Sequence, residues 1–439
     1  MGLFRVSDID IRGLKRRSAV ASVLDVGSSK VCCLIAELKP AEPGGALRAR
    51  THSISILGFG HQRSRGVKSG VVADLDAAEQ AIRMTVDAAE RMAGVTVESL
   101  IVNVTAGRLA SEIFSAAVAV TGDAIADADI GRVLAAGRRF SRADGRGVVH
   151  SLPIGYALNG EAGIADPRGM VGQRLSVDMH VVTADPAPLR NLELTINRCH
   201  LSVERLVAAP YAAGLSVLVE DEPELGCAVI DFGGGTTTIA VFNRGQFIHA
   251  DAVAIGGRHV TNDIARGLSI RIEDAERLKT MYGSALPGVT DERELVAVRL
   301  VGDDDGDVPS EVPRSALIRI IRPRVEEILE LVRDRLNASG FAGLVGRRMV
   351  LTGGASQLTG LAEAARRILA RNVRLGRPLG IAGMPNVAKG PAFAGAVGLL
   401  IYPQVAEMEQ IGSDHGAPLA ATGTGGYLAR VGQWIRESF

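Results

Sequence analysis

The 439 residues exceed what one hydrophobic core organises, and 47% hydrophobic content supplies several cores, built from Ala, Val, Ile and Leu because aromatics reach only 4%. A formal net charge of zero argues against nucleic acid as the main partner, since phosphate binding needs a basic excess. Cys32, Cys33, Cys199 and Cys227 lie in apolar runs with no CxxC pair, which excludes a zinc spacing or disulfide framework and fits a reducing cytoplasm.

The chain opens on a basic run, Arg12, Lys15, Arg16 and Arg17, which reads as a solvated arm rather than a binding patch. No signal-peptide core is present, and Val6 stands where a myristoylation signal needs Ser or Thr. No apolar run approaches the ~20 residues that span a bilayer.

AVASVLDVGSSKVCCLIAEL, from Ala19 to Leu38, then predicts a β-hairpin: two apolar runs joined by Asp-x-Gly and small hydroxyl residues. Leu75, Ala78, Ile82, Val86, Ala89 and Met92 hold helical spacing over 75–93. From Leu109 to Thr183 the pattern changes to that of a small α+β insertion. Asp127 or Asp129 can cap a helix carrying Ile130, Val133, Leu134 and Gly137. Gly155 to Gly172, with several Gly and Pro, is expected to be irregular. Leu175, Val177, Met179 and Val181 alternate with Ser176, Asp178 and His180, as in a strand packed on one face. Asp185-Pro186 then starts a helix with Leu189, Leu192 and Ile196 inward.

The first pattern recurs at LGCAVIDFGGGTTTIAVFNRG, Leu225 to Gly245, which implies two similar halves. In GGRHVTNDIARGLSIRIEDAERLK, Glu276 and Lys279 share a helix face, an arrangement that a plain surface pair explains equally well. The acidic loop Asp303–Asp307 reads as solvated, because Val301 stands where a calcium loop needs Asp. Arg314 to Leu336 is helical with a break or kink at Pro323. Leu317, Ile320, Ile321, Ile328, Val332 and Leu336 are its apolar set, and Arg324 and Glu327 remain for the exposed side. MVLTGGASQLTGLAEAARRI, from Met349, runs as a strand into Gly353-Gly354 and then a helix. The fold class is therefore α/β, with mostly parallel or mixed sheets covered on both faces.

These motifs suit a nucleoside triphosphate. Gly27 lets a phosphate approach the backbone, Ser28 and Ser29 offer N–H and hydroxyl donors, and Lys30 adds charge. Gly233, Gly234, Gly235 and Thr236 make the matching second turn. Asp25 and Asp231, at the strand ends, are placed to hold Mg²⁺ largely through water. Gly353, Gly354, Ala355 and Ser356 suit the ribose and α-phosphate side as a helix N-terminus. Neither a Rossmann fingerprint nor a P-loop is present.

The order of these elements resembles the actin and heat-shock-chaperone ATPase superfamily, with its two phosphate hairpins and its adenosine motif. Within it the chain is most similar to the FtsA family of bacterial cell-division proteins, over nearly its whole length. The resemblance implies an actin-like two-lobed fold with a 1C subdomain at 109–183. Lobe I would then comprise 18–108, 184–222 and 391–404. Lobe II would comprise 223–256 and 337–390, with 257–336 as subdomain 2B. It implies that Glu276 and Lys279 face the ribose and adenine of ATP. It also implies two close-crossing hinge helices, Pro210–Leu218 and Gly390–Leu400, rich in Ala and Gly. Ala209 occupies the position where chaperone ATPases carry a water-orienting Glu, so hydrolysis is expected to be slow at best. Arg324 and Glu327 match the positions at which the family binds the C-terminal peptide of FtsZ. Filament self-assembly and recruitment of later division proteins follow from the same resemblance.

The chain closes on a Gly/Ala/Thr-rich linker, 405–425, and GYLARVGQWIRESF, 426–439, which holds the single tryptophan. On a helix, Leu428, Val431, Trp434, Ile435 and Phe439 share one side, opposite Arg430, Gln433, Arg436 and Glu437. That pattern predicts an interfacial helix on an anionic membrane, too short to span it; a helix docked on its own protein is the plainer reading. A small-molecule kinase of the same superfamily, and a type IV pilus scaffold, are the competing functions.

Overall fold

The computed structural model describes residues 4–5, 18–41, 50–105, 108–140, 145–302 and 308–406. The basic run, the acidic loop 303–307, the linker beyond Ala406 and the amphipathic segment 426–439 lie outside the described residues. Among the described residues no helix is long and apolar enough to cross a membrane.

In chain order the first lobe opens with β1 (Ala19–Val26), β2 (Lys30–Pro40), β3 (His52–Arg63), α1 (Leu75–Ala93) and β4 (Ser99–Val104). The insertion holds β5 (Ala110–Ala119), α2 (Asp127–Phe140), β6 (Gly147–Leu158), β7 (Glu161–Ile164) and β8 (Arg174–Ala184). Then come α3 (Pro186–Arg198), β9 (Ser202–Ala208) and α4 (Ala209–Val217). The second half runs β10 (Cys227–Phe232), β11 (Thr237–Asn243), β12 (Gln246–Val253), α5 (Gly257–Leu268), α6 (Ile272–Tyr282) and α7 (Arg314–Ala338). It ends with β13 (Arg348–Thr352), α8 (Leu361–Leu369), β14 (Asn372–Leu375), β15 (Ile381–Ala382) and α9 (Ala394–Ile401).

Three main sheets result. The first has the order β9-β4-β1-β2-β3-β15, the second β12-β11-β10-β13-β14, and the insertion's own sheet β7-β6-β8-β5. Both large sheets have an antiparallel hairpin at the centre, β1–β2 and β10–β11, beside a parallel strand, β4 and β13. The duplication read from the two Asp-x-Gly stretches is thus a duplication of topology. β15, late in the chain, pairs with β3 of the first sheet.

The sheets lie back to back across α4 and α9. These helices are buried along nearly their whole lengths because their residues are small and apolar. A Cβ on Gly398 would overlap the Ala212 carbonyl, so the two backbones touch. Such close crossing leaves no side chain between the two helices at that point. Tyr402, Tyr211, Phe242 and Phe247 pack just behind the crossing, with Tyr211 and Phe247 stacked at 4.5 Å.

Several expectations change. β6 and β7 take up Gly155–Leu158 and Glu161–Ile164, so only the later part of 155–172 is irregular. β8 is buried on one face at Leu175, Val177 and Met179 as its alternation predicts, but His180 is buried too. The edge strand β12 covers it: the His180 ring meets Phe247 edge-on at 4.8 Å, and Ser111 Oγ lies 2.6 Å from His180 Nε2. Met92, counted with the apolar face of α1, is half exposed. Asp129 rather than Asp127 serves the start of α2, accepting from the Ala126 and Thr121 backbone N–H groups at 2.9 and 3.3 Å. α7 runs unbroken through Pro323. No α-helix begins at Gly353-Gly354; a 3₁₀ turn, Gly354–Gln357, follows, and α8 starts only at Leu361.

Candidate functional site

The two hairpin turns meet. Gly27 N–H donates to the Lys30 carbonyl at 3.0 Å and Gly233 N–H to the Thr236 carbonyl at 2.9 Å, so each turn closes on itself. A Cβ on Gly234 would stand 2.8 Å from Ser29 Cβ, and one on Gly235 would overlap Ser28 Oγ. Only glycines let the turns approach this closely. Between them opens a cleft of about 940 Å³.

Asp25 and Asp231 lie at its floor. Asn103 Nδ2 donates to Asp25 Oδ1 at 2.6 Å, and Asn103 Oδ1 accepts from the Val26 N–H at 2.7 Å, which locks the Asp25 side chain. Burial pushes the Asp25 carboxyl up, and Lys30 opposes this. Burial, and then the neighbouring Asp25, push Asp231 up to about 6, again against Lys30. Two buried carboxylates that repel one another beside a single lysine form a site short of positive charge. Lys30 Nζ also sits over the Phe393 ring at 4.9 Å, which fixes its direction.

The second lobe supplies the far wall. Carbonyls of the second turn receive the first amides of α5, from Gly257 to Gly233 at 2.9 Å and from Arg258 to Gly234 at 2.7 Å. Lys279 Nζ donates to Glu276 Oε2 at 2.7 Å, to Thr261 Oγ1 at 2.8 Å and to the Gly257 carbonyl at 3.2 Å. Thr261 Oγ1 donates to Glu276 Oε2 at 2.5 Å. Burial alone would raise the Glu276 carboxyl, but Lys279 and these bonds hold it below the ordinary range. The pair is therefore not a plain surface pair: it is knit to the start of α5 and lines the cleft.

Of the residues predicted from sequence, Asp25, Gly27 to Lys30, Asp231, Gly233 to Thr236, Glu276, Lys279, Gly353, Gly354 and Ala355 all line this one cleft. Ser356 does not: it is buried, its hydroxyl donating to the Gly353 carbonyl at 2.7 Å. Ala209 also lines the cleft. Sequence reasoning missed Asn103, Phe393 and Arg258. Arg258 Nη1 donates to the Ser28 carbonyl at 3.1 Å, and Arg63 Nη2 lies 3.2 Å from Glu273 Oε1, so two links cross the cleft. Arg258 stood in a quoted motif directly after Gly256-Gly257; nothing local marked the other two.

Arg324 and Glu327 lie on α7 and do not line the cleft, although Val325 between them does. Arg324 is part-buried rather than free on an exposed face. Its Nε donates to Asp263 Oδ2 at 2.6 Å, its Nη2 to Asp263 Oδ1 at 3.3 Å, and its Nη1 to Glu327. The Asp263 bond raises the already high guanidinium pKa.

A model of "Cell division protein FtsA" matches residues 228–398, and one of the "SHS2 domain inserted in FTSA" matches 106–183, the insertion. The cell division protein FtsA of Rhizobium meliloti is 57% identical over 443 aligned residues, covering all of both chains. The chain belongs to the FtsA family. The Escherichia coli K12 FtsA is 31% identical, over 95% of this chain and 97% of its own. Among solved structures, a type IV pilus PilM-PilN complex matches with TM-score 0.58 at 17% identity, over 88% of this chain and 98% of the other. MreB 5 of Spiroplasma citri bound to AMPPNP matches with TM-score 0.51 at 13% identity, over 88% and 97%. These two likenesses show the actin-like fold. As an FtsA-family chain the protein is a cell division protein.

Proposed function

We propose that this FtsA-family protein binds ATP between its two hairpin turns and assembles on the inner face of the cytoplasmic membrane at the division site. There it tethers FtsZ filaments and helps recruit later division proteins. The observation that carries the nucleotide reading is the meeting of two glycine turns over Asp25 and Asp231, opposite Glu276–Lys279. The actin-like structure of MreB 5 bound to AMPPNP supports it by analogy of fold.

The donor set fits magnesium. Asp25 and Asp231 are two buried carboxylates in need of a cation, and they would hold it largely through water. The ion would offset phosphate charge. Among the described residues no group of three or more His, Cys, Asp or Glu could hold a metal, so phosphate and water must complete its shell. Ser28, Ser29, Thr236 and the turn amides would bind phosphate, Gly353, Gly354 and Ala355 the ribose side, and Glu276–Lys279 the ribose and adenine. The Ala209 methyl carries no polar group to orient a water, so ATP acts mainly as an assembly ligand.

Arg324 and Glu327 would take the FtsZ C-terminal peptide. The segment 426–439 would be the membrane anchor. Its five apolar side chains, at ~1.5–3 kcal/mol each if fully buried, gain less at an interface and must offset the ordering of a tail. One subunit then binds marginally, and a filament binds firmly through avidity. The full-length FtsA relatives favour this reading over a pilus scaffold or a kinase. Calorimetric titration of the full chain with ATP tests the first step. Binding that needs magnesium and is lost in Asp231→Ala supports it; absence of binding contradicts it.

A further inference from the structure

A second cavity, of about 730 Å³, opens behind the hinge crossing. Its apolar walls include Tyr211 and Leu215 on α4, Phe242 and Phe247 on the second sheet, and Leu152 on the insertion's β6, and Arg50, Arg347 and Arg348 line it as well. Its rim is the segment Val219–Leu225, where Val219 and Leu225 are 44% and 74% exposed and Glu220 and Glu224 are exposed carboxylates. Apolar walls of this volume, beneath a rim of mixed charge that exposes Val219 and Leu225, suit the apolar side of a short amphipathic segment.

The chain carries one such segment, and it is tethered nearby. Val405 is itself part of the cavity wall, and the described chain ends one residue later at Ala406. A random-coil stretch of the length of 407–425 would span roughly 25 Å, which would keep residues 426–439 at a high effective concentration around the cavity. Their apolar set, Leu428, Val431, Trp434, Ile435 and Phe439, matches the walls.

We propose that residues 426–439 dock, apolar side inward, into the hinge cavity of their own chain when no lipid surface is present. The same side chains then serve either the cavity or a membrane, and the membrane part rests on the function proposed above.

Trp434 is the only tryptophan, so its fluorescence reads the segment directly. The full chain without lipid should show blue-shifted emission, with acrylamide quenching reduced several-fold relative to Val219→Glu/Leu225→Glu. Both substituted side chains are exposed at the rim, and circular dichroism checks that the variant folds. The result should not depend on protein concentration. Fully quenched Trp434 in the unaltered chain overturns the proposal. So does shielding that survives the double variant, which places the segment elsewhere, or shielding lost on dilution, which places it on a second copy. Phosphatidylglycerol vesicles added to the double variant test the membrane reading separately, since its segment has no cavity to leave.

Discussion

Arg258 on α5 donates to the carbonyl of Ser28 in the opposite lobe at 3.1 Å, so the second lobe grips the first phosphate-type turn through a single side chain. A charged donor to a buried carbonyl contributes about 1.5–3 kcal/mol. Arg258→Ala should therefore leave the fold intact and speed release of a fluorescent ATP analogue by about tenfold or more, read by stopped-flow.

Asp231 makes the cleft pH-sensitive. Its carboxyl is raised from 3.8 to about 6, so the folded chain binds that proton more tightly than the unfolded one. Stability from this group is present below pH ~4 and falls as pH rises towards ~6, then stays level. Asp231→Asn removes the penalty and should stabilise the nucleotide-free protein above that range, by up to about 3 kcal/mol. Thermal unfolding at neutral and mildly acidic pH checks it: the gain should shrink as pH falls, while magnesium-dependent ATP binding is lost.

Two glycines should resist any side chain. Gly353 has φ +86°, and a Cβ there would overlap Asp231 Oδ1. Gly353→Ala should cost about 1–3 kcal/mol and weaken ATP binding together with stability. Gly398→Ala strikes the Ala212 carbonyl at the hinge crossing, where overpacking costs about 1–3 kcal/mol or more. Denaturant unfolding reads both.

On α7, Arg324 is already held by Asp263 and Glu327, so an acidic peptide must compete with them. Arg324→Ala should reduce binding of an FtsZ C-terminal peptide at least tenfold. Asp263→Asn should leave it equal or tighter, measured by fluorescence anisotropy. Equal loss in both variants would mean that the pair acts only by holding α5 against α7.

Much of this was legible because it is local. An Asp-x-Gly turn carries its chemistry within a few residues, and the helical spacing from Leu75 to Ala89 states its own buried face. What stayed hidden depends on distant chain. His180 looked exposed by alternation because the strand that covers it, with Phe247, lies far along the sequence. Asn103 binds Asp25 from a neighbouring strand whose register no local pattern gives. Glycines announced a turn after β13, but whether it led into an α-helix or a 3₁₀ turn depended on Ser356 bonding back to Gly353.

If ATP-linked assembly turns a weak anchor into a firm one, sedimentation with phosphatidylglycerol vesicles will show it. The full chain should co-sediment far more with Mg-ATP than without, and Ile435→Glu should abolish the difference. Co-sedimentation that ignores nucleotide would mean that nucleotide-linked assembly does not hold the protein on lipid, and co-sedimentation that survives Ile435→Glu would mean that the C-terminal segment does not.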